Sequence, residues 1–366
     1  MKSAVYLARI ANKESKGIIN KVRNTAKALN ELGYSANAII FHEYWLKGSL
    51  KVALRLLVAK EDLIILRSDH HTMLVMFLPM LLARIRGKKI VVDVANPVCV
   101  AAREVDGTSS NFVAKKLKKI LLHITFPLSL FPANRILEYG YDSFWFTLGV
   151  KRKIKLVGNG VLVNSVPFRA HKPLLTQRNL NLLGAAHLAF WHGFDRLIRS
   201  IHAYNIKNSL RADKVDVNFW IVGDGFEKDN LINLVKDLKL ESQVHFLGVK
   251  EGNDLAECFE NIHVGVCSLT VFRKNLSFIS DLKSRDYAAR GIPFILACDD
   301  IDFQASLPFV FRCENNDSLI ELGDIINWYT NFERKHDDFY FIRRFAIENL
   351  DYSVKVKRDI LTVLNS

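Results

Sequence analysis

Short apolar runs alternate with amphipathic helical patterns along most of this 366-residue chain. The runs are almost entirely apolar, as expected for strands of a parallel sheet whose two faces are both covered by helices. Each parallel pair of strands also needs a crossover connection, and a helix usually provides it. The alternation therefore predicts an α/β fold, and the length suits two domains with separate hydrophobic cores.

The predicted elements follow one another in the order strand, helix, strand. The strands predicted in the first half are 4–10, 36–41, 63–66, 89–94, 135–138 and 153–157, and those in the second half are 180–184, 217–222, 244–247, 264–266 and 292–297. The predicted helices are 17–32, 50–59, 73–86, 141–148, 196–204, 228–238, 280–290 and 339–364.

A turn and a proline-containing segment separate the two halves. The turn is G-N-G-V at 158–161, and the segment 165–177, which contains two prolines, is typical of a linker. We therefore place the first domain at 1–168 and the second at 169–344, with a final helix at about 345–366.

The formal net charge of +13 favours an anionic partner. Nucleic acid, an anionic membrane and phosphorylated small molecules all qualify, but no finger, RRM or KH pattern is present, so no nucleic acid is expected. The five cysteines are scattered and without metal-type spacing, which suits reduced thiols in a cytoplasm. With no signal peptide and no apolar run of membrane-spanning length, we expect a cytoplasmic protein, peripheral at most.

The segment 277–296, S-F-I-S-D-L-K-S-R-D-Y-A-A-R-G-I-P-F-I-L, carries the strongest local signals. Ser280 or Asp281 is a good N-cap for a helix, and Gly291 followed by a proline ends it. Such a helix presents free N–H groups and its positive dipole end to an anion at residues 280–283. Asp286 lies more than one turn further along this helix, where its carboxylate could accept hydrogen bonds from sugar hydroxyls. The alternative is an ordinary capped helix that leads into a strand.

Polar residues follow two predicted strands of the first half, where ligands of parallel sheets bind. They lie at 67–71 after one strand and at Asp93 and Asn96 after the next. Asp93 and His70 are the candidate catalytic residues, although a histidine in such a loop is often only a capping residue. Gly17 lies after the first strand, at the start of a predicted helix. A glycine there lets a ligand approach the backbone, so this turn either binds a ligand or is a plain turn.

Three segments of the second half carry a family resemblance: L-K-S-R-D-Y-A-A-R-G-I-P-F at 282–294, W-H-G-F-D-R at 191–196 and N-F-W-I-V-G-D-G at 218–225. They resemble group-one (family-four-like) retaining glycosyltransferases of the GT-B fold, of the type that builds bacterial surface polysaccharides. The first half matches this family only in its alternation of strands and helices.

The resemblance implies two Rossmann-like domains facing a cleft, with the acceptor on the first domain and the nucleotide-sugar donor on the second. It implies transfer with retention to a glycan or lipid-linked saccharide, without a cofactor or metal, and a final helix that packs back on the first domain. The residues expected to contact the donor are Gly17, His192, Arg196, Gly223, Asp224, Gly225, Val249, Ser280, Asp281, Leu282, Lys283 and Asp286.

The chain also departs from the family pattern. Ala185 and Ala186 stand where an arginine that neutralises the diphosphate is expected, and His192 stands near the position of a lysine. Phe278 occupies the place of the first of two acids, and the second is Asp286 rather than the commoner glutamate. Either Asp281 substitutes for the missing acid, or the donor sugar is less polar there, as a deoxysugar is, or the chain is not an enzyme.

The segment 111–131 is strongly basic and amphipathic. Its lysines are Lys115, Lys116, Lys118 and Lys119. The sequence favours a core helix with one solvated face, and the alternative is an element that touches anionic lipid headgroups.

Two other classes of protein remain open. One is a nucleotide- or polyanion-binding relative without catalysis, and the other is a nucleotide-sugar epimerase of the same fold. A dinucleotide-binding protein is disfavoured, because Lys228 stands where the glycine fingerprint beginning at Gly223 needs its third glycine.

Overall fold

Two α/β units make up the chain in the computed structural model. Unit 1 comprises residues 1–160 and 351–366, and unit 2 comprises residues 161–350. The structure describes residues 2–12, 16–69, 72–94, 97–98, 112–169, 175, 178–336 and 338–362.

The divisions between the units differ from those expected at 168 and about 345. Val163 belongs to the hydrophobic core of unit 2. The guanidinium of Arg343 donates to the carbonyls of Val163 and Val166, 3.0 and 2.9 Å away. The linker and the helix that holds Arg343 are therefore built into unit 2, and only the chain after Leu350 returns to unit 1.

Unit 1 is a parallel six-stranded sheet in the order β2-β1-β3-β4-β5-β6. The strands are β1 Ser3–Arg9, β2 Ser35–Phe41, β3 Leu63–Arg67, β4 Lys89–Val94, β5 Arg135–Glu138 and β6 Ile154–Leu156. The helices are α1 Lys16–Glu31, α2 Trp45–Leu57, α3 Phe77–Ile85, α4 Phe112–Leu130 and α5 Phe144–Thr147, with 3₁₀ turns at Thr72–Leu74 and Lys151–Lys153.

The tail of the chain completes unit 1. A short helix at Tyr352–Lys355 and a π-helix at Val356–Ile360 pack against α1. The helix predicted over 339–364 is therefore interrupted, because Leu350 ends one helix and the Asp351 side chain caps the next by accepting from the N–H of Ser353.

The helix predicted over 73–86 is also shorter than expected. A 3₁₀ turn covers its first part, and α3 begins only at Phe77. Proline lacks a backbone N–H and is best tolerated in the first turn of a helix, because further along it removes a hydrogen bond. A helix that began at 73 would hold Pro79 in its interior, whereas α3 has it in its first turn.

Unit 2 is a second parallel sheet of six strands, in the order β12-β11-β10-β7-β8-β9. The strands are β7 Asn179–Ala185, β8 Asp216–Val222, β9 Val244–Gly248, β10 Val264–Val266, β11 Phe294–Leu296 and β12 Val310–Arg312. The helices are α6 Phe194–Lys207, α7 Lys228–Asp237, α8 Gly252–Glu257, α9 Leu282–Arg290, α10 Leu322–Lys335 and α11 Tyr340–Asn349, with 3₁₀ turns at Val163–Ser165, Phe190–His192 and Val271–Lys274.

The cysteines whose thiols are described are free. Cys267 and Cys298 are buried, Cys258 and Cys313 are half-buried, and Cys99 lies outside the described residues. Burial raises the pKa of the Cys267 and Cys298 thiols well above the ordinary value, which leaves them uncharged.

A buried ion-pair cluster fastens α9 to the loop after β11. The Arg285 side chain is fully buried, and its Nη2 lies 2.7 Å from Oδ1 of Asp300 and 2.6 Å from Oδ2 of Asp302. Its guanidinium also lies 4.9 Å from the centre of the Phe303 ring. Each charge is desolvated and relies on its partner.

We expect the variant Arg285→Leu to lose about 3–5 kcal/mol of unfolding free energy, because two carboxylates would stay buried without a cation. Urea unfolding of both proteins measures this loss. The matched control adds Asp300→Asn and Asp302→Asn to the same variant and should recover part of it. Equal stability of the native protein and Arg285→Leu would contradict the role given to this cluster.

Candidate functional site

The candidate site lies at the carboxyl edge of the unit 2 sheet. Strands β8 and β9 extend from β7 in one direction, whereas β10, β11 and β12 extend in the other. The order of strands therefore reverses between β7 and β10, and ligands of open α/β sheets bind in the crevice at such a reversal. The loop after β7, the loop after β10 and the start of α9 meet at this point.

The Asp281 carboxylate joins two of these segments. Its Oδ1 accepts from the backbone N–H of Lys283 at 2.9 Å and so caps α9. Its Oδ2 accepts from the hydroxyl and the backbone N–H of Ser268, 3.1 and 3.3 Å away. Asp281 is thus the N-cap, and both oxygens of its nearly buried carboxylate already accept hydrogen bonds within the protein. The suggestion that it substitutes for the family's missing first acid does not fit these contacts.

The Lys283 side chain brings in the third segment. Its Nζ lies 3.0 Å from Nδ1 of His192, 3.1 Å from Oγ of Ser268 and 3.3 Å from Oδ2 of Asp281. An ammonium group has only donors, so Nδ1 of His192 must accept. The imidazole is then neutral and carries its proton on Nε2. We call these four residues, His192, Ser268, Asp281 and Lys283, the polar cluster.

Burial and the neighbouring charges set the protonation of the polar cluster. Burial lowers the pKa of His192, and the Lys283 charge lowers it further. Burial alone would raise the pKa of Asp281, but the Lys283 charge and the accepted hydrogen bonds hold it below its ordinary value. A neutral histidine therefore stands beside an ammonium–carboxylate pair.

Gly193 positions His192. It has a left-handed φ of +66° and links the 3₁₀ turn at Phe190–His192 to α6. A Cβ on Gly193 would come within 2.7 Å of a Thr270 side-chain carbon. The carbonyl of His192 also accepts from the N–H of Leu269, 2.9 Å away. The turn after β7 is therefore held tightly against the loop after β10.

Arg196 does not join the polar cluster. Its guanidinium is buried and donates to the carbonyls of Leu269, Glu314 and Ser318 at 2.5–2.9 Å. The group is used to hold the loops after β10 and β12 together. The sequence could not show this direction, because these carbonyls belong to distant loops.

The glycine turn after β8 lies next to the loop after β7. Gly223 has a φ of +129°, and a Cβ there would come within 1.8 Å of the Ala186 carbonyl oxygen. Asp224 forms an exposed ion pair with Lys228 at 3.0 Å, and its carboxylate also accepts from the N–H of the adjoining Gly225 at 2.7 Å. Val249 follows β9 and is exposed.

Asp286 lies one turn beyond the start of α9. Its Oδ2 accepts from Nε of Arg290 at 2.8 Å, and about a third of its side chain is exposed. Phe278, which stands where the family has its first acid, is buried and forms a parallel β-bridge with Asp299. The start of α9 itself leaves Leu282 exposed and Ser280 half-buried.

The candidate residues of unit 1 are considered within that unit. Asp93 is buried within a network in which the hydroxyl of Tyr6 donates to it, Nζ of Lys21 lies 3.1 Å away and Nη1 of Arg67 lies 3.7 Å away. Burial alone would raise the pKa of Asp93, but the charges of Lys21 and Arg67 hold it below its ordinary value. The carboxylate is therefore charged. Gly17 is exposed in the first turn of α1, and His70 lies outside the described residues.

The sequence did not predict an aromatic group beside the polar cluster. Phe190 and Phe226 flank Trp191, with ring centres 5.0 and 5.9 Å from it, and Nζ of Lys274 lies 4.4 Å from the Trp191 ring centre. Ser268 was also missed. The sequence contains little indication of these contacts, because the residues come from separate loops and share no periodicity. Among the residues described, no three His, Cys, Asp or Glu side chains are placed to hold a metal ion.

We expect the protein to lose stability between pH 7 and pH 5, in part through His192. An unfolded histidine takes up a proton near pH 6.5, whereas burial and Lys283 oppose this in the folded state. The proton uptake therefore favours unfolding below that pH, by about 2 kcal/mol at pH 5. The contribution of Asp281 would be lost only at still lower pH.

Urea unfolding of the native protein and His192→Gln at both pH values tests this expectation. The variant should show the smaller drop in stability. An equal drop in the two proteins would show that His192 is not held neutral.

Comparison with known proteins agrees with this architecture. Residues 171–272 match the family model described as glycosyl transferases group 1. No curated protein sequence matches the chain. A sucrose-phosphate synthase from Thermosynechococcus elongatus is similar in structure at 10% identity, with all of both chains covered and a TM-score of 0.62.

Two further solved structures show the same fold. A glycosyltransferase from Rickettsia africae shares 12% identity over the whole of both chains with a TM-score of 0.63. The lipopolysaccharide outer core galactosyltransferase WaaB shares 12% identity over 99% of each chain with a TM-score of 0.59. The predicted GT-B-type α/β fold and the predicted resemblance to the group 1 glycosyltransferases are therefore both confirmed.

Proposed function

We propose that the protein transfers a sugar from a nucleotide-sugar donor to a glycan or lipid-linked saccharide. One observation carries the proposal: an ammonium, an imidazole and a capped helix start converge where the strand order of unit 2 reverses. The match to the group 1 model and the GT-B fold supply the class of reaction.

The polar cluster suits the diphosphate of the donor. Lys283 supplies a cation, the neutral His192 lies beside it, and α9 directs its positive end to the same place. Because Asp281 balances the Lys283 charge, affinity would come from directed hydrogen bonds more than from net charge. These donors would stabilise charge that develops on the leaving diphosphate.

Transfer with retention needs no further protein base in this proposal. The bond between the sugar anomeric carbon and the diphosphate oxygen breaks, and the acceptor oxygen bonds to that carbon on the same face. The acceptor proton passes to the leaving phosphate oxygen. No metal or cofactor takes part in this scheme.

The ribose and the sugar would meet different surroundings. Asp286 lies one turn along α9, where its partly exposed carboxylate could accept from ribose hydroxyls although it also pairs with Arg290. The buried ring of Phe278 removes the acid that usually meets the sugar. A donor sugar that lacks a hydroxyl there, such as a deoxysugar, fits this replacement best.

We further propose a role in bacterial surface-polysaccharide synthesis at the inner face of the plasma membrane. The name of WaaB, which shares the fold, describes such an activity. The chain carries a net charge of +13, and Lys115, Lys116, Lys118 and Lys119 all lie on α4. Each lysine near an anionic leaflet contributes about 1 kcal/mol.

The replacement of the family's first acid by Phe278 favours one alternative function, that of a relative that binds nucleotides without catalysis. A panel of nucleotide sugars distinguishes the candidates. Transfer or donor hydrolysis supports the proposal, an epimerised donor indicates an epimerase, and binding without turnover indicates the non-catalytic relative.

We expect Lys283→Gln to weaken nucleoside diphosphate binding by about 10- to 100-fold, the size of one or two lost charge-assisted hydrogen bonds. Calorimetric titration measures it. Lys283→Arg keeps the charge and should retain much of the affinity, and the exposed Lys236→Gln on α7 is the matched control. Native affinity in Lys283→Gln would remove this lysine from the site.

We expect Asp286→Ala to weaken nucleotide binding by about 1–3 kcal/mol, through lost hydrogen bonds to the charged carboxylate. Phe278→Ala should leave the affinity for the bare nucleotide nearly unchanged and alter packing or the choice of sugar. The same titration tests both variants, and unchanged affinity in Asp286→Ala would exclude Asp286 from the nucleotide site.

A further inference from the structure

Three helices of unit 1 lie side by side on one face of its sheet. Helix α3 packs against α2 on one side and against α4 on the other. Their inward side chains, among them Val52, Met80 and Phe126, share one hydrophobic core with Val5 and Ile64 of the strands. The opposite sides of the three helices therefore form one continuous outer face of unit 1.

That outer face is apolar on α2. Leu46, Leu50, Leu54 and Val58 recur at intervals of four, which places them on one side of the helix and its extension. All four are exposed, Leu54 by 62% and Val58 by 68%. Since the core-facing residues of α2 are different, this is a second apolar stripe on the same helix.

Helices α3 and α4 continue the apolar face. Leu78 and Ile85 of α3 are exposed, the latter by 72%, and so are Leu117, Ile120 and Ile124 of α4. The sequence favoured a core helix at 111–131 whose solvated face is formed by lysines. Helix α4 does contribute residues around Phe126 to the core, but its outer face also carries a leucine and isoleucine stripe.

An apolar groove of about 350 Å³ lies between α4 and α5, lined by residues that include Leu128, Phe131 and Trp145. Pro127 has no N–H for the carbonyl of His123, four residues earlier. The indole N–H of Trp145 donates to that carbonyl at 2.7 Å. The half-exposed tryptophan is thereby fixed at the rim of the apolar face.

The charge on these helices has one sign. Neither Asp nor Glu occurs in α2, α3 or α4, whereas the segments contain Lys47, Lys51, Arg55 and Arg84 besides the four lysines of α4. Two glutamates that flank α2 pair with Lys51 and Arg55. An apolar face with basic residues along it is the pattern of helices that lie in a membrane interface.

We propose that the outer face of α2, α3 and α4 inserts its apolar side chains into the headgroup and acyl boundary of an anionic lipid bilayer. A bilayer offers both of the required surfaces, hydrocarbon for the stripes and negative headgroups for the basic residues. Among the described residues, no helix is long and apolar enough to cross a membrane. The inference deepens the membrane part of the proposed function and does not depend on sugar transfer.

Flotation with lipid vesicles tests the proposal on the full chain. Vesicles of phosphatidylcholine alone are compared with equal parts phosphatidylcholine and phosphatidylglycerol, at low salt and at 1 M salt. The apolar variant combines Leu54→Gln, Leu78→Gln, Ile85→Gln and Leu117→Gln. The charge variant changes Lys115, Lys116, Lys118 and Lys119 to Gln, and the control changes the exposed Ile206 and Leu210 of unit 2 to Gln.

The native protein should bind the anionic vesicles and keep part of that binding at 1 M salt, where the Debye length falls to about 3 Å. The apolar variant should bind at least about tenfold more weakly at both salt concentrations. The charge variant should lose its preference for phosphatidylglycerol, and the control should bind like the native protein.

Three results would overturn the proposal. The first is a native protein that ignores anionic vesicles, and the second is an apolar variant that binds them as well as the native protein. The third is a dimer in sedimentation velocity that the apolar variant converts to a monomer without any vesicle binding, since a second copy would then cover this face. Titration of nucleoside diphosphate into the same samples separates a failure here from a failure of the proposed transfer.

Discussion

Asp281 uses one carboxylate to start α9, to hold the loop after β10 through Ser268 and to balance the charge of Lys283. The other features of the candidate site depend on this contact. Without the cap, the first N–H groups of α9 would lose a partner, and Lys283 would lose the anion that keeps it beside His192. The anion-binding end of the helix and the cation next to it are thus positioned by the same group.

Helix α9 has a second side that is purely structural. Arg285 and the carboxylates of Asp300 and Asp302 are buried together, and Tyr287 packs in the core. A buried pair of this kind adds little net stability but is costly to break, so it restricts the helix to one orientation. Because the polar cluster is held by loops that contact this helix, its geometry depends on charges that no ligand would touch.

Unit 1 also buries charged groups, but it exposes an apolar face on three of its helices. Charged groups are buried at the carboxyl edge of its sheet, where Asp93 pairs with both Lys21 and Arg67. Leucine and isoleucine side chains are meanwhile exposed on α2, α3 and α4. Large exposed apolar patches usually mark an interaction site, so this face is expected to contact something other than water. The two units therefore carry different kinds of candidate surface.

The sequence by itself determined the α/β class, most of the strands, and the limits of α9, because periodicity, capping and proline act over a few neighbouring residues. It also placed Lys283 and Asp281 at the start of that helix. Only the tertiary structure brought His192 to Lys283, turned Arg196 inward and left Leu117 outside, because these outcomes depend on the order of strands and on which loops become neighbours. Residues far apart in the chain carry no local signal of their contact, and an amphipathic pattern does not tell which of two apolar stripes the core will cover.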